Sequence, residues 1–216
     1  KLIKKAWKNN NLNEKNICLV AVGGYGRAEL FPFSDIDILI LVKNYEDTDA
    51  LKNIERFIAD IWHFKTLVGH AVRTIKECSI AMNSDITIYT GLLESRCICG
   101  SKKMYEELSQ IIYKDTNWSN EDFLKAKKIE QEKRYWKYSN TGYLLEPDIK
   151  EGPGGFRDFQ TLMWITKKYF KTNSINDLYN LKIISKKERL SLLRSYRFLS
   201  KARFFLHFIN DKPEER

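Results

Sequence analysis

Two hydrophobic rhythms divide this chain. In its first half, short β-branched runs carry a strand pattern. Ile17-Cys18-Leu19-Val20-Ala21-Val22 is a continuous apolar run, and Asp35 to Val42 alternates at its start before turning wholly apolar. Further strands are predicted over about Thr66 to Arg73 and Ser95 to Cys99. Between them lie helical periods. Asp47 to Trp62 sets Leu51, Ile54, Ile58 and Ile61 on one face, Thr74 and Glu77 have the spacing of a capping box, and a short helix starts near Ser84 or Asp85. A helix from about Ser101 to Tyr113 follows Gly100. Alternating strands and helices predict an α/β (α+β) unit with a mixed sheet and flanking helices. From Asn120 the pattern becomes all-helical: Glu121 to Tyr138, Arg157 to Phe170, and about Lys186 to Ile209, the last with a stripe of Leu192, Tyr196, Leu199, Leu206 and Ile209. The expected organisation is residues 1–118 as the α/β domain and 119–216 as a helical extension.

The segment joining the first two strands narrows this picture most. It reads Gly23-Gly24-Tyr25-Gly26-Arg27-Ala28-Glu29-Leu30-Phe31-Pro32-Phe33-Ser34-Asp35-Ile36-Asp37. Glycines directly after a strand let the backbone turn sharply and approach a ligand with no Cβ in the way. Tyr25 to Leu30 is predicted to form a short helix whose free N–H groups face an anion such as phosphate. Asp35 and Asp37, two residues apart on a strand, project to the same side while Ile36, Ile38 and Ile40 face the core. Two carboxylates so placed repel one another unless a cation lies between them, and hard oxygen donors suit Mg²⁺ or Mn²⁺ shared with phosphate oxygens. A lone glycine turn or a lone Asp-x-Asp is more often a plain turn or a solvated strand edge. Their conjunction with two buried strands points to an enzyme that holds a nucleoside triphosphate and transfers a nucleotidyl group.

Other features exclude more than they add. The chain has 216 residues, enough for a sizeable core, and no apolar run long enough to span a bilayer. No signal-peptide pattern is present, and the four cysteines (Cys18, Cys78, Cys97, Cys99) lack zinc-type spacing, so reduced thiols and a cytoplasmic location are expected. His63 and His207 read as structural histidines. The net charge of +9 suits a triphosphate. Segments such as Lys125 to Lys128 and Lys186 to Arg189 mix with acids on helix faces, so solvation explains most of the excess and a nucleic-acid partner is not expected.

Val22 to Val42 resembles the signature of the DNA polymerase β-like nucleotidyltransferase superfamily. More narrowly, the chain resembles the nucleotidyltransferase region of the bacterial PII-uridylyltransferase/uridylyl-removing family. Val68-Gly69-His70-Ala71-Val72-Arg73-Thr74, Leu92-Leu93-Glu94-Ser95-Arg96 and Glu146-Pro147-Asp148-Ile149-Lys150-Glu151-Gly152-Pro153-Gly154-Gly155-Phe156-Arg157-Asp158 support the narrower likeness. A loop of the last kind also occurs in glutamine-synthetase adenylyltransferases. The resemblance implies a third metal-site acid on a later strand, for which Glu94 is the candidate ahead of Asp85 and Asp60. From the residues themselves, Gly23, Gly24, Arg27, Ser34, Lys150 and Arg157 are candidate phosphate contacts, with pairing to Glu29 an equal alternative for Arg27 and the glycine-rich loop before Arg157 offering successive N–H groups. The implied reaction is transfer of UMP from UTP, with Mg²⁺, to a tyrosine of the PII signalling protein. Family members further carry an HD-type hydrolase domain and two ACT domains, and neither is expected in this chain. Another nucleotidyltransferase, acting on protein or RNA, and a non-catalytic nucleotide-binding module remain alternatives.

Overall fold

The computed structural model describes residues 2–12, 15–64, 67–114, 118–138, 145–172 and 174–215. The chain divides into two compact units, Lys1–Asn117 and Trp118–Arg216.

The first unit is built on four strands: β1 (Ile17–Ala21), β2 (Ile36–Val42), β3 (Val68–Arg73) and β4 (Arg96–Gly100). Their order is β3-β2-β1-β4; β2 and β3 run parallel and both other pairs antiparallel, which gives the expected mixed sheet. Thr66, included in the expected third strand, lies outside the described residues, and β2 begins one residue after Asp35. Strand alternation places Ile17, Leu19, Ala21, Ile38, Ile40 and Val42 on one face, in a core with Ile54, Phe57 and Ile61 of α3 (Thr48–Trp62). That core also takes Ile3, Ala6 and Trp7 from α1 (Leu2–Asn9), a helix not among the elements expected above. Trp7 meets Phe57 edge to face at 5.4 Å.

Cys18, Val20, Leu39 and Leu41 turn the other way and are buried with residues of α4 (Ile75–Ser84), α5 (Ile86–Leu93) and α6 (Lys102–Ile112), among them Met82, Tyr89 and Leu108. The Thr74 capping box is formed in both directions: Glu77 N–H donates to the Thr74 hydroxyl and Thr74 N–H to the Glu77 carboxylate.

The second unit contains α7 (Asn120–Lys137), α8 (Phe156–Phe170), α9 (Ile175–Asn180) and α10 (Lys186–Asn210). Phe123, Phe156, Trp164 and Leu178 are buried within it, and Phe156 and Phe159 both pack on Tyr196. The α10 stripe differs from expectation at its end. Ile209 is 75% exposed, whereas Arg203 and His207 are buried. Arg203 is held there by the Glu215 carboxylate and lies over the Phe156 ring. No helix among the described residues is long and apolar enough to cross a membrane.

Candidate functional site

The glycine turn and the two aspartates meet at one end of the sheet. β1 ends at Ala21, opposite Ile38, and Val22 N–H donates to the Asp37 carbonyl at 3.1 Å, so the chain leaves β1 beside the start of β2. It then forms α2 (Gly23–Gly26), which starts two residues earlier than the periodicity implies and ends at Gly26 rather than Leu30. Ala28 takes a left-handed conformation, φ 61°, which stops the helix from continuing, and Phe33 takes another, φ 60°, in the turn that follows. Ser34 closes the following turn: its hydroxyl accepts from Phe31 N–H at 3.0 Å.

Asp35 and Asp37 are both exposed, one just before β2 and one at its second position. Ile36 between them packs on the α3-side core. Asp37 is framed by two glycines. A Cβ on Gly23, where φ is +55°, would lie 3.3 Å from Asp37 Oδ2, and a Cβ on Gly69, its register partner on β3, would lie 2.5 Å from Oδ1. The carboxylate therefore occupies space that any side chain at 69 would take. Gly24 differs, since a Cβ there would meet nothing closer than the Glu29 carbonyl at 3.6 Å. Packing does not require glycine at that position.

The far end of α2 is fastened by charge. Arg27 donates to Glu29 at 2.8 Å and to Glu94 at 2.5 Å, and the Glu94 side chain is 2% exposed. Burial disfavours the Arg27 charge, but Glu94 and Glu29 more than reverse this and hold its pKa above the ordinary value. A Cβ on Gly26 would lie 2.3 Å from the Glu94 carbonyl, so α2 lies directly against the end of α5. Arg96, noted in the sequence only as the end of the Leu92–Arg96 segment, donates to the carbonyls of Tyr25 (2.8 Å) and Gly26 (3.2 Å) and lies over the Tyr25 ring.

Glu94 closes α5 and accepts from Arg27, and among the described residues no group of three acids, histidines or cysteines is gathered to hold a metal ion. The lesser candidates have structural partners: Asp85 caps α5 through Thr87 N–H, and Asp60 accepts from Asn10. Arg27 faces carboxylates. The donor set that fits a hard divalent cation is Asp35 with Asp37, both exposed oxygen donors, and substrate oxygens would have to supply the remainder.

In the helical unit the loop before α8 is closed on itself. Asp148 accepts from the N–H groups of Lys150 and Glu151 and from Tyr138. The N–H groups of Gly152, Gly155, Phe156, Arg157 and Asp158 go to carbonyls of Asp148, Gly152, Ile149, Lys150 and Gly155, and that of Gly154 goes to the Asp158 carboxylate. The expected outward row of N–H groups is absent because the loop uses them internally. A Cβ on Gly152 or Gly155 would strike carbonyl oxygens at 2.5 and 2.7 Å. Arg157 pairs with Glu151 and Gln160, and Lys150 is held through its backbone.

Asp158 also takes hydrogen bonds from Tyr135, Gln131 and Arg134. Burial alone would raise its pKa; the bonds from Tyr135, Gly154 and Gln131 and the Arg134 charge outweigh that and lower it. Such a carboxylate stabilises the fold above its unfolded value, about 3.9, and stops doing so as pH falls through its lower folded value. Unfolding midpoints of the wild type and Asp158→Asn should therefore differ at neutral pH and converge below about pH 4.

The charge is unevenly divided. Lys1–Asn117 holds 16 Lys and Arg against 15 Asp and Glu, a net +1, and Trp118–Arg216 holds 21 against 13, a net +8. The unit with the two aspartates is nearly neutral, so attraction of a triphosphate there depends on local groups.

Residues 1–90 match the family model described as nucleotidyltransferase domain, and residues 122–216 match the model described as GlnD PII-uridylyltransferase. The chain is 40% identical over 207 residues to a bifunctional uridylyltransferase/uridylyl-removing enzyme of Vibrio vulnificus strain YJ016, covering 95% of this chain and 24% of that protein. Proteins of the same name from Hydrogenovibrio crunogenus and Pseudomonas fluorescens strain Pf-5 are 40% and 38% identical over 217 and 216 residues, covering 100% of this chain and 24% of each relative. The chain spans about a quarter of the length of the curated relatives it matches.

Proposed function

The chain belongs to the PII-uridylyltransferase family, and we propose that it transfers UMP from UTP to a tyrosine of the PII protein, releasing pyrophosphate. The observation that carries this reading is the exposed Asp37 carboxylate framed by Gly23 and Gly69, with Asp35 two residues away and the β1 glycine turn beside it. Asp35 and Asp37 are the residues that would hold Mg²⁺ or Mn²⁺. When bound, the ion neutralises phosphate charge and stabilises the charge that develops during transfer. Gly24, where packing leaves room for a side chain, fits a position kept bare for close approach of phosphate.

In the transfer itself, the tyrosine hydroxyl gives up its proton to solvent and its oxygen forms a bond to the α-phosphorus while the α–β phosphoanhydride bond breaks and pyrophosphate leaves. This chain's part is to bind and align the triphosphate, which is worth much of the rate in such reactions. Arg27 and Arg96 position α2 in this scheme. Ser34 remains a candidate phosphate contact, as do Lys150 and Arg157 in the helical unit; Arg157 would exchange Glu151 for phosphate. The choice of uracil and of PII comes from the family, as does a cytoplasmic setting.

Gly69 offers a direct probe of the carboxylate's position. A Cβ there displaces the movable tip of Asp37 and no backbone atom. Gly69→Ala should therefore leave the unfolding midpoint within a few degrees of wild type and lower transfer by about tenfold or more, the effect expected when a reacting group is misplaced. Melting curves and initial rates on the same preparations check both halves. The function itself is tested by pyrophosphate release from each of the four nucleoside triphosphates with Mg²⁺, with and without PII. Release that needs both UTP and PII supports the proposal. Preference for ATP would favour an adenylyltransferase, and nucleotide binding with no release would make this a regulatory module.

A further inference from the structure

Cys18 and Cys97 lie together in the sheet, their sulfurs 3.7 Å apart. The cause is a bulge. β1 pairs Leu19 with Cys99 and Val20 with Cys97, so Ile98 is an extra residue on β4. Ile98 and Cys99 both pack on the α3-side core, which leaves Cys97 on the opposite face beside Cys18. The two thiols differ in access. Cys18 is fully buried, and Cys97 is half-buried near the sheet edge.

We propose that Cys97 and Cys18 form a reversible oxidation site that closes to an intramolecular disulfide when a small-molecule disulfide is the oxidant. The Cys97 thiolate attacks one sulfur of the oxidant; a Cys97 mixed disulfide forms and one small thiol leaves. Cys18 then loses its proton to solvent and attacks the Cys97 sulfur, and the second small thiol leaves. Two protein thiols are oxidised, and one small disulfide is reduced to two thiols. Burial raises the Cys18 pKa, so the second step is the slow one and quickens with rising pH. A sulfur separation of 3.7 Å must shorten to about 2.05 Å, a movement of well under one strand spacing. The bond lies next to Arg96, which holds the carbonyls of Tyr25 and Gly26.

The test is incubation of the full chain with excess glutathione disulfide at about pH 8.5, close to the ordinary thiol pKa, followed by intact mass, thiol titration and peptide mapping without reduction. The expected product has lost two hydrogens, has two free thiols of the original four, links the Cys18 and Cys97 peptides, and returns to the starting mass with dithiothreitol. Cys18→Ser should stop at a Cys97 glutathione adduct, and Cys97→Ser should give neither adduct nor linkage at these positions. Because the wild-type map does not depend on the variants folding, it decides the matter alone. A Cys97–Cys99 linkage, a persistent mixed disulfide or an unchanged mass overturns the proposal.

Discussion

Replacing Asp37 with asparagine is expected to lower nucleotidyl transfer by about 10²–10³-fold or more, because a divalent ion on phosphate is worth several kcal/mol and each 1.36 kcal/mol is tenfold in rate. The fold should survive. Asp37 is exposed, and its backbone, not its side chain, continues the sheet through the bond from Val22. Asparagine keeps the size of the side chain between Gly23 and Gly69 and removes the charge. The check is pyrophosphate release under saturating UTP and Mg²⁺, with a melting curve on the same sample. Persistence of transfer in a folded variant would remove Asp37 from the chemistry.

Glu94 should behave in the opposite way. Its carboxylate is buried against Arg27, and removing it takes away a charge-assisted hydrogen bond worth about 1.5–3 kcal/mol while Glu29 still balances the Arg27 charge. Glu94→Ala is therefore expected to reduce the stability of the first unit by about that amount, read by urea unfolding. The milder Glu94→Gln still offers Arg27 an acceptor and separates two roles. If Glu94 serves Arg27, the folded fraction of the glutamine variant keeps transfer within about tenfold of wild type, since the interaction lost is not made to the transition state. If transfer collapses while stability holds, Glu94 is acting on the nucleotide or its ion, and its assignment to Arg27 as the chief role is wrong.

These contrasting outcomes mark where local pattern sufficed. Strand and helix periods were readable because each depends on neighbours within a few residues: the alternation of Ile36, Ile38 and Ile40, or Thr74 with Glu77. The meeting of Asp35, Asp37 and Gly23 was also legible, since a strand, a tight turn and a returning strand fix it by connectivity. Partners distant in sequence were not. Glu94 sits in a hydrophobic stretch ahead of Ser95 and Arg96, and nothing local says that Arg27 claims it. The bulge at Ile98 escaped for the same reason, as it exists only in the pairing of β4 with β1. In α10, Ile209 outranks Arg203 by hydropathy, yet Glu215 lets Arg203 go inside. One signal was available and missed: Ile3, Ala6 and Trp7 have the helical spacing that buries α1. The loop before α8 teaches a related lesson. Its glycines looked suited to phosphate, but Gly152 and Gly155 are required by their own carbonyl neighbours.

The most direct measurement is calorimetric titration of UTP into the chain, with Mg²⁺ and then with the ion chelated, for wild type and for the Asp35→Asn, Asp37→Asn double variant. Wild type should bind UTP with Mg²⁺ and lose about tenfold or more of that affinity on chelation, whereas the double variant should bind equally weakly in both conditions. Equal binding by wild type with and without the ion, or Mg²⁺-dependent binding retained by the double variant, would contradict the claim that these two aspartates grip a cation for a triphosphate.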